Sequence, residues 1–167
     1  MTGNSMTDPL HCSHPGLRLR FAVPGDVELI LEFIQALADY EKLAHEVVAD
    51  VDGLSRSLFG EQPVAEVLIA ESGGQPAGFA LFFRSFSTFL GKPGIYLEDL
   101  FVKPEQRGQG IGRELLACLA RIAQQRDCGR LEWSVLDWNE PAIRFYRGLG
   151  AQAMEGWMRN AQTMAAA

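Results

Sequence analysis

Six residues, Arg107-Gly108-Gln109-Gly110-Ile111-Gly112, join a strand-like run, Tyr96 to Val102, to an amphipathic run that begins at Arg113. Glycines in such a turn let the backbone come close to a ligand, and a helix start offers unpaired amides and the positive end of a dipole. The residue types therefore suit a phosphate or pyrophosphate, although a short glycine-rich turn also serves as an ordinary strand-to-helix connection. A Walker loop is excluded, because the turn ends Gly112-Arg113-Glu114 and lacks the Gly-Lys-Ser/Thr that holds terminal phosphates and magnesium. A dinucleotide fold is excluded too. It would put the turn in the first strand-helix unit with an acid on the next strand tip, whereas this turn lies past the middle of the chain and Glu132 sits between Leu131 and Trp133. Immediately upstream stand two adjacent acids, Glu98 and Asp99, inside an otherwise apolar strand. Such a pair is costly unless water or partners satisfy it, which favours a site over plain packing. Strand alternation sends the two side chains to opposite faces, so only one of them is expected to face a given pocket.

These residues need a scaffold, and the hydrophobic pattern supplies one. Leu17 to Val23 alternates and reads as a first strand, closed by Pro24-Gly25-Asp26, with Asp26 as cap of a helix to about Lys42. Val27, Ile30, Leu31, Ile34, Leu37 and Ala38 recur on one side of that helix. Val51 to Phe59 reads as a second short helix; Val64 to Glu71 and Gln75 to Phe86 read as strands around the hairpin signal Ser72-Gly73-Gly74. Tyr96 to Val102 is the fourth strand, Gly110 to Arg126 a helix, Arg130 to Leu136 the fifth strand, and Pro141 to Leu149 a last helix. Asn139 is placed to cap that helix, and Gly150 to close it. A final strand is expected to include Ala153 to Met158. The predicted domain spans residues 17–160, between a flexible arm over 1–16 and a frayed end over 161–167.

Composition bounds the function. The 167 residues, 47% hydrophobic, suit a globular chain with one core, and no run is apolar enough to cross a membrane. The start lacks the charged-then-apolar order of a signal peptide, and Cys12, Cys118 and Cys128 are few and odd in number. A soluble cytoplasmic protein is expected, with no membrane partner and no disulfide framework. A formal net charge of -6 argues against nucleic acid, which needs a clustered basic surface, and suits a small cationic molecule. Asp39, Glu41, Glu46, Asp50 and Asp52 gather after the first helix, a run that by itself reads as a solvated helix face. His11-Cys12-Ser13-His14 holds metal-binding side chains, but its short, polar, aperiodic setting reads as an arm, and no metal is expected.

Tyr96-Leu97-Glu98-Asp99-Leu100-Phe101-Val102-Lys103-Pro104, then the glycine turn, a helix, and Asp137-Trp138-Asn139-Glu140-Pro141-Ala142-Ile143-Arg144-Phe145-Tyr146, together resemble the GNAT superfamily of acyl-CoA N-acyltransferases. Tyr-Leu-Glu-Asp-Leu-Phe-Val and Trp-Asn-Glu-Pro-Ala-Ile-Arg-Phe-Tyr resemble in particular its diamine and polyamine acetyltransferases, the spermidine/spermine and thialysine group. The likeness runs from Leu17 to Trp157. It implies an α/β (α+β) fold with a mixed, mostly antiparallel sheet flanked by helices, in the order strand, helix, helix, three strands, helix, strand, helix, strand. It also implies a homodimer.

The resemblance further implies acetyl-CoA as acyl donor and direct attack on it by the primary amine of a small cationic acceptor. Tyr146 would protonate the leaving thiolate, although an aromatic on an apolar helix face also serves as core. Glu98 would bind or deprotonate the amine, with Tyr40 and Glu41 lining the acceptor pocket. Leu100, Phe101 and Val102 would pair through their backbone with the pantetheine arm. Arg107, Gly108, Gln109, Gly110, Ile111, Gly112 and Arg113 would cradle the phosphates. Asn139, with Pro141 and Ala142 at the start of the last helix, would hold the pantetheine, and Asp99 would be a strand-end structural acid. One departure stands out: before Gly91-Lys92 the polyamine enzymes show an acid and a Trp, where this chain has Ser87, Thr88 and Phe89. An acceptor-site charge is missing. Other acceptors remain open on the same fold, namely an amino acid, an antibiotic or a protein terminus, as does a CoA-binding sensor without catalysis.

Overall fold

A computed structural model describes residues 8–164. The chain forms two compact units, Met1–Ser134 and Val135–Ala167. In the first unit the elements are β1 (Leu17–Phe21), α1 (Val27–Tyr40), α2 (Val51–Phe59), β2 (Glu66–Ser72), β3 (Gln75–Ser87), β4 (Lys92–Val102), α3 (Ile111–Gln125) and β5 (Leu131–Trp133). The five strands lie in the order β1-β2-β3-β4-β5. The first four pair antiparallel, and β5 joins β4 parallel. The expected mixed, mostly antiparallel sheet is thus formed.

The register shows why the helices sit where they do. Val67 faces Leu81 and Ile69 faces Phe79, which in turn faces Phe101. Residues directly opposite across a ladder share a face of the sheet, so these five make one apolar surface. Ile30 and Phe33 of α1 and Leu58 of α2 complete that cluster. Phe33 stacks on Phe79 with ring centroids 5.2 Å apart, and meets Phe101 at 6.1 Å. The opposite surface, which carries Leu68, Ala80 and Phe82, is left for α3, whose Ile111, Leu115, Leu119 and Ile122 are buried against the sheet.

Two local expectations change. Asp26 does not use its side chain as a cap; its carboxylate takes Arg20 at 2.7 and 2.9 Å and the Val23 amide at 2.8 Å. Arg20 also reaches Glu71 at 2.8 Å, so this half-buried cation ties β1 to β2 and to the start of α1. The charge-assisted bonds to Arg20 hold the Asp26 carboxyl below its ordinary range and outweigh the opposing effect of burial. Residues 8–16 also differ from a loose arm. Arg121 of α3 donates to the Pro9 carbonyl at 3.0 Å and to the His11 carbonyl at 2.7 Å. The first seven residues of the expected arm, and the last three of the expected frayed end, lie outside the described part.

The second unit carries α4 (Glu140–Gly148). Its C-terminus closes with the Gly150 amide on the Arg147 carbonyl at 3.0 Å and the Ala151 amide on the Tyr146 carbonyl at 3.1 Å, with Gly150 at φ 88. This left-handed closure needs glycine. The sixth strand, expected over Ala153 to Met158, is not formed. Gly156 at φ 82 turns the chain in the middle of that run, and Trp157 and Met158 are exposed.

Candidate active site

The two neighbouring acids of β4 owe their placement to a one-residue irregularity. Leu97 lies across from Phe82 but Asp99 lies across from Leu81, so Glu98 is an extra residue in the ladder. Strict alternation would put Asp99 on the face of Leu97. The bulge instead shifts it to the face of Leu81 and Phe101, beneath α1. Glu98 is exposed and Asp99 half-buried. The Asp99 carboxyl is pushed up to about 7, first by burial, then by the charges of Glu98 and Glu41. Glu41 follows the last residue of α1, and its own carboxyl is raised by desolvation. Three carboxylates from two elements share one field.

Tyr40 ends α1 beside this group. The Arg107 guanidinium lies over the Tyr40 ring at 5.0 Å and over Phe101 at 5.5 Å, while its Nε donates to the Val102 carbonyl at 2.8 Å. These stacked contacts are cation–π interactions. Arg107, predicted as a phosphate ligand, thus braces α1 against the end of β4. The Val102 oxygen, predicted to meet the pantetheine arm, is already engaged.

Parallel pairing with β5 ends at Leu97 opposite Trp133. Beyond it, Leu100, Phe101 and Val102 continue β4 without a β5 partner. The glycine turn follows, with Gly108 at φ 77 and Gly110 at φ 85. Both values lie in the left-handed region that glycine alone adopts freely. Gly110 is the N-cap of α3, and no side chain caps that end. The first amides of an α-helix have no partner inside it, so those of Ile111, Gly112 and Arg113 suit an anion. An ideal Cβ on Gly108 meets nothing within 4 Å, so the space beside that residue is open. These features fit the diphosphate of an acyl-CoA. Among the described residues no group of three His, Cys, Asp or Glu side chains is placed to hold a metal ion. None of the described helices is long and apolar enough to cross a membrane.

In the second unit, Asn139 is buried, and its side-chain oxygen accepts the Ala142 amide at 3.4 Å, as a cap. Pro141 occupies the first turn of α4, where a missing amide costs nothing. Tyr146 lies in the last turn of the helix, half-buried, with its ring 5.3 Å from that of Phe145.

Asp99 and Glu98 are not told apart by the sequence. The signal that separates them is the bulge, and a bulge depends on pairing with β3 rather than on local residues.

Comparison with known proteins supplies the context for this geometry. The Acetyltransferase (GNAT) family matches residues 32–151. The chain is 42% identical over 150 residues to the thialysine N-epsilon-acetyltransferase of Bos taurus, across 83% of this chain and 88% of that protein. It is 32% identical to the L-ornithine N5-acetyltransferase NATA1 of Arabidopsis thaliana, across 84% of this chain and 81% of the relative. Among solved structures, an integron cassette protein from the mobile metagenome of V. cholerae superposes with TM-score 0.74 at 25% identity, covering 89% of this chain and 93% of that one. An aminoglycoside acetyltransferase from a soil metagenome, in complex with sisomicin, shares the fold with TM-score 0.75 at 18% identity, over 90% and 97% of the two chains. With a family match over more than half its length and relatives of this identity along most of it, the chain belongs to the GNAT family of acetyltransferases and is an N-acetyltransferase.

Proposed function

We propose that this protein transfers an acetyl group from acetyl-CoA to a primary amine of a small acceptor that carries a second positive charge, such as thialysine, a lysine-like amine or a short diamine. The observation that carries this reading is the carboxylate group Glu41, Glu98 and Asp99 gathered by the β4 bulge. The names of its relatives, thialysine and L-ornithine acetyltransferases, describe acceptors of that class.

Acetyl-CoA supplies an acetyl group activated as a thioester. The glycine turn, Gly108 to Gly112, and the first amides of α3 would hold its diphosphate, with Arg113 exposed on the first turn of that helix. The stretch of β4 that runs past β5, Leu100 to Val102, pairs with β3 on one edge; its other edge would offer backbone groups to the pantetheine, the Val102 oxygen excepted, and an amide toward the carbonyl to be attacked. A protonated amine is no nucleophile, so a base must take its proton. Asp99 suits that role, because a carboxyl pushed up to about 7 ionises near neutral pH and still attracts a proton. Glu98, the residue expected as the base, is exposed on the bulge, and with Glu41 it would bind the distal charge of the acceptor beside Tyr40. Family likeness assigns Asn139, Pro141 and Ala142 to the cosubstrate, and to Tyr146 the proton that the departing thiolate requires.

The test is the pH dependence of kcat/KM, followed by release of the CoA thiol. Wild type should lose activity as pH falls through about 7, following ionisation of Asp99. Asp99→Asn should lose that limb and at least about 100-fold in rate, a common cost for a missing general base. Glu98→Gln should keep the limb, shifted to lower pH by removal of a like charge. Loss of the limb in Glu98→Gln with its retention in Asp99→Asn would return the base to Glu98.

A further inference from the structure

His14 touches the glycine turn from the segment that precedes β1. Its Nε2 lies 2.5 Å from the Gln109 carbonyl oxygen, and its Nδ1 lies 3.0 Å from the Pro15 carbonyl oxygen. A carbonyl only accepts, so the tautomer with Nε2–H donates to Gln109. The ring edge also approaches Gly110, with Cδ2 3.9 Å from where a Cβ of that residue would stand. His14 is itself held, since its carbonyl accepts the Leu17 amide at 3.2 Å at the start of β1. Arg121 fixes the preceding stretch to α3 through Pro9 and His11.

Gln109 stands between the two left-handed glycines, and the peptide it shares with Gly110 is planar and trans. In that unit the C=O and the following N–H point in opposite directions. Pinning the Gln109 oxygen on the His14 side therefore aims the Gly110 amide away from the arm. Glycines have the most conformational freedom to lose, and ordering this turn before a ligand arrives removes that cost from binding.

We propose that His14 is a positioning residue for acetyl-CoA, acting through the Gln109–Gly110 peptide, and that residues 8–16 are a strap which pre-forms the diphosphate cradle. The inference rests on the assignment of the glycine turn to CoA, and is independent of the acceptor.

Calorimetric titration of CoA into wild type, His14→Ala and His14→Gln, with steady-state kinetics beside it, tests the proposal. His14 is only half-buried, so its variants should fold. His14→Ala should raise the CoA Kd and the acetyl-CoA KM about fivefold, the worth of one hydrogen bond, with kcat and the amine KM unchanged. His14→Gln keeps a donor of similar reach and should recover at least half of that loss. Unchanged or tighter CoA binding by His14→Ala overturns the proposal, as does a fall in kcat at constant Kd, or a His14→Gln that recovers nothing. Wild type that binds no CoA refutes the assignment of the turn and this inference with it. Wild type that binds CoA no better than His14→Ala refutes the inference alone.

Discussion

Replacing Asp99 by Asn keeps the shape of the side chain and removes its charge, which turns the environment of the β4 bulge into a measurable stability. In the folded protein the carboxyl is pushed up to about 7 by burial and then by Glu98 and Glu41, whereas an unfolded aspartate titrates near 3.9. The folded value is the higher one, so the stability associated with the protonated acid is complete below about pH 4 and is lost as pH rises through about 7. At about 1.4 kcal/mol for each tenfold difference, roughly 2 kcal/mol has gone by pH 5.5 and roughly 4 kcal/mol by pH 8.5. Asparagine stays neutral throughout. Asp99→Asn should therefore be more stable than wild type, by a margin that widens by about 2 kcal/mol between those two pH values. Urea unfolding followed by fluorescence of Trp133 and Trp138 gives the two curves, and their difference cancels every group that titrates alike in both proteins. A margin that stays constant, or that narrows as pH rises, would show that Asp99 is an ordinary solvated acid and remove the reason for choosing it as the base.

Three further outcomes are expected. Tyr146→Phe should lower kcat by roughly 100-fold with CoA affinity unchanged, since a general acid acts only in the transition state; a folded variant with wild-type turnover would make this ring a packing residue of α4. Gly110→Glu should abolish CoA binding in calorimetry, because the position is at φ 85 and the new carboxylate would stand where the diphosphate belongs; unchanged affinity would sink the cradle. Asn139→Ala should destabilise the start of α4 by about 1 kcal/mol, the usual worth of an N-cap, read by thermal unfolding; an unchanged melting temperature would leave its buried side chain without a capping role.

How much of this was legible in the sequence depends on the range of the interaction. Val51 to Phe59 was bounded as observed, because the helix period and its flanks are local. Asn139 was readable as a cap for the same reason, and Gly108 and Gly110 as a special turn because so few residues adopt their backbone angles. The bulge at Glu98 was not legible. It is a slip of register between β3 and β4, and alternation read along one strand cannot show it. The ties of residues 8–16 were hidden for the same reason, since His14 meets Gln109 from 95 residues away and Arg121 meets Pro9 from 112. Arg107 was assigned to phosphates from charge and proximity in sequence, while the faces of Tyr40 and Phe101 compete for the same guanidinium. The run Ala153 to Met158 has strand-like residues, yet Gly156 breaks it.

We propose that this N-acetyltransferase selects an acceptor with a second cationic nitrogen, through Glu41, Glu98 and Asp99 at the end of α1 and the β4 bulge. Thiol release from acetyl-CoA, measured with thialysine, lysine-like amines and short diamines beside monoamines of equal length, tests it directly. A partly exposed ion pair contributes about 1 kcal/mol and is screened by salt, so the charged acceptors should lead by roughly fivefold in kcat/KM, less at high ionic strength. Glu41→Gln and Glu98→Gln should each narrow the lead. Equal kcat/KM for charged and neutral tails, in wild type and in both variants, would contradict the claim.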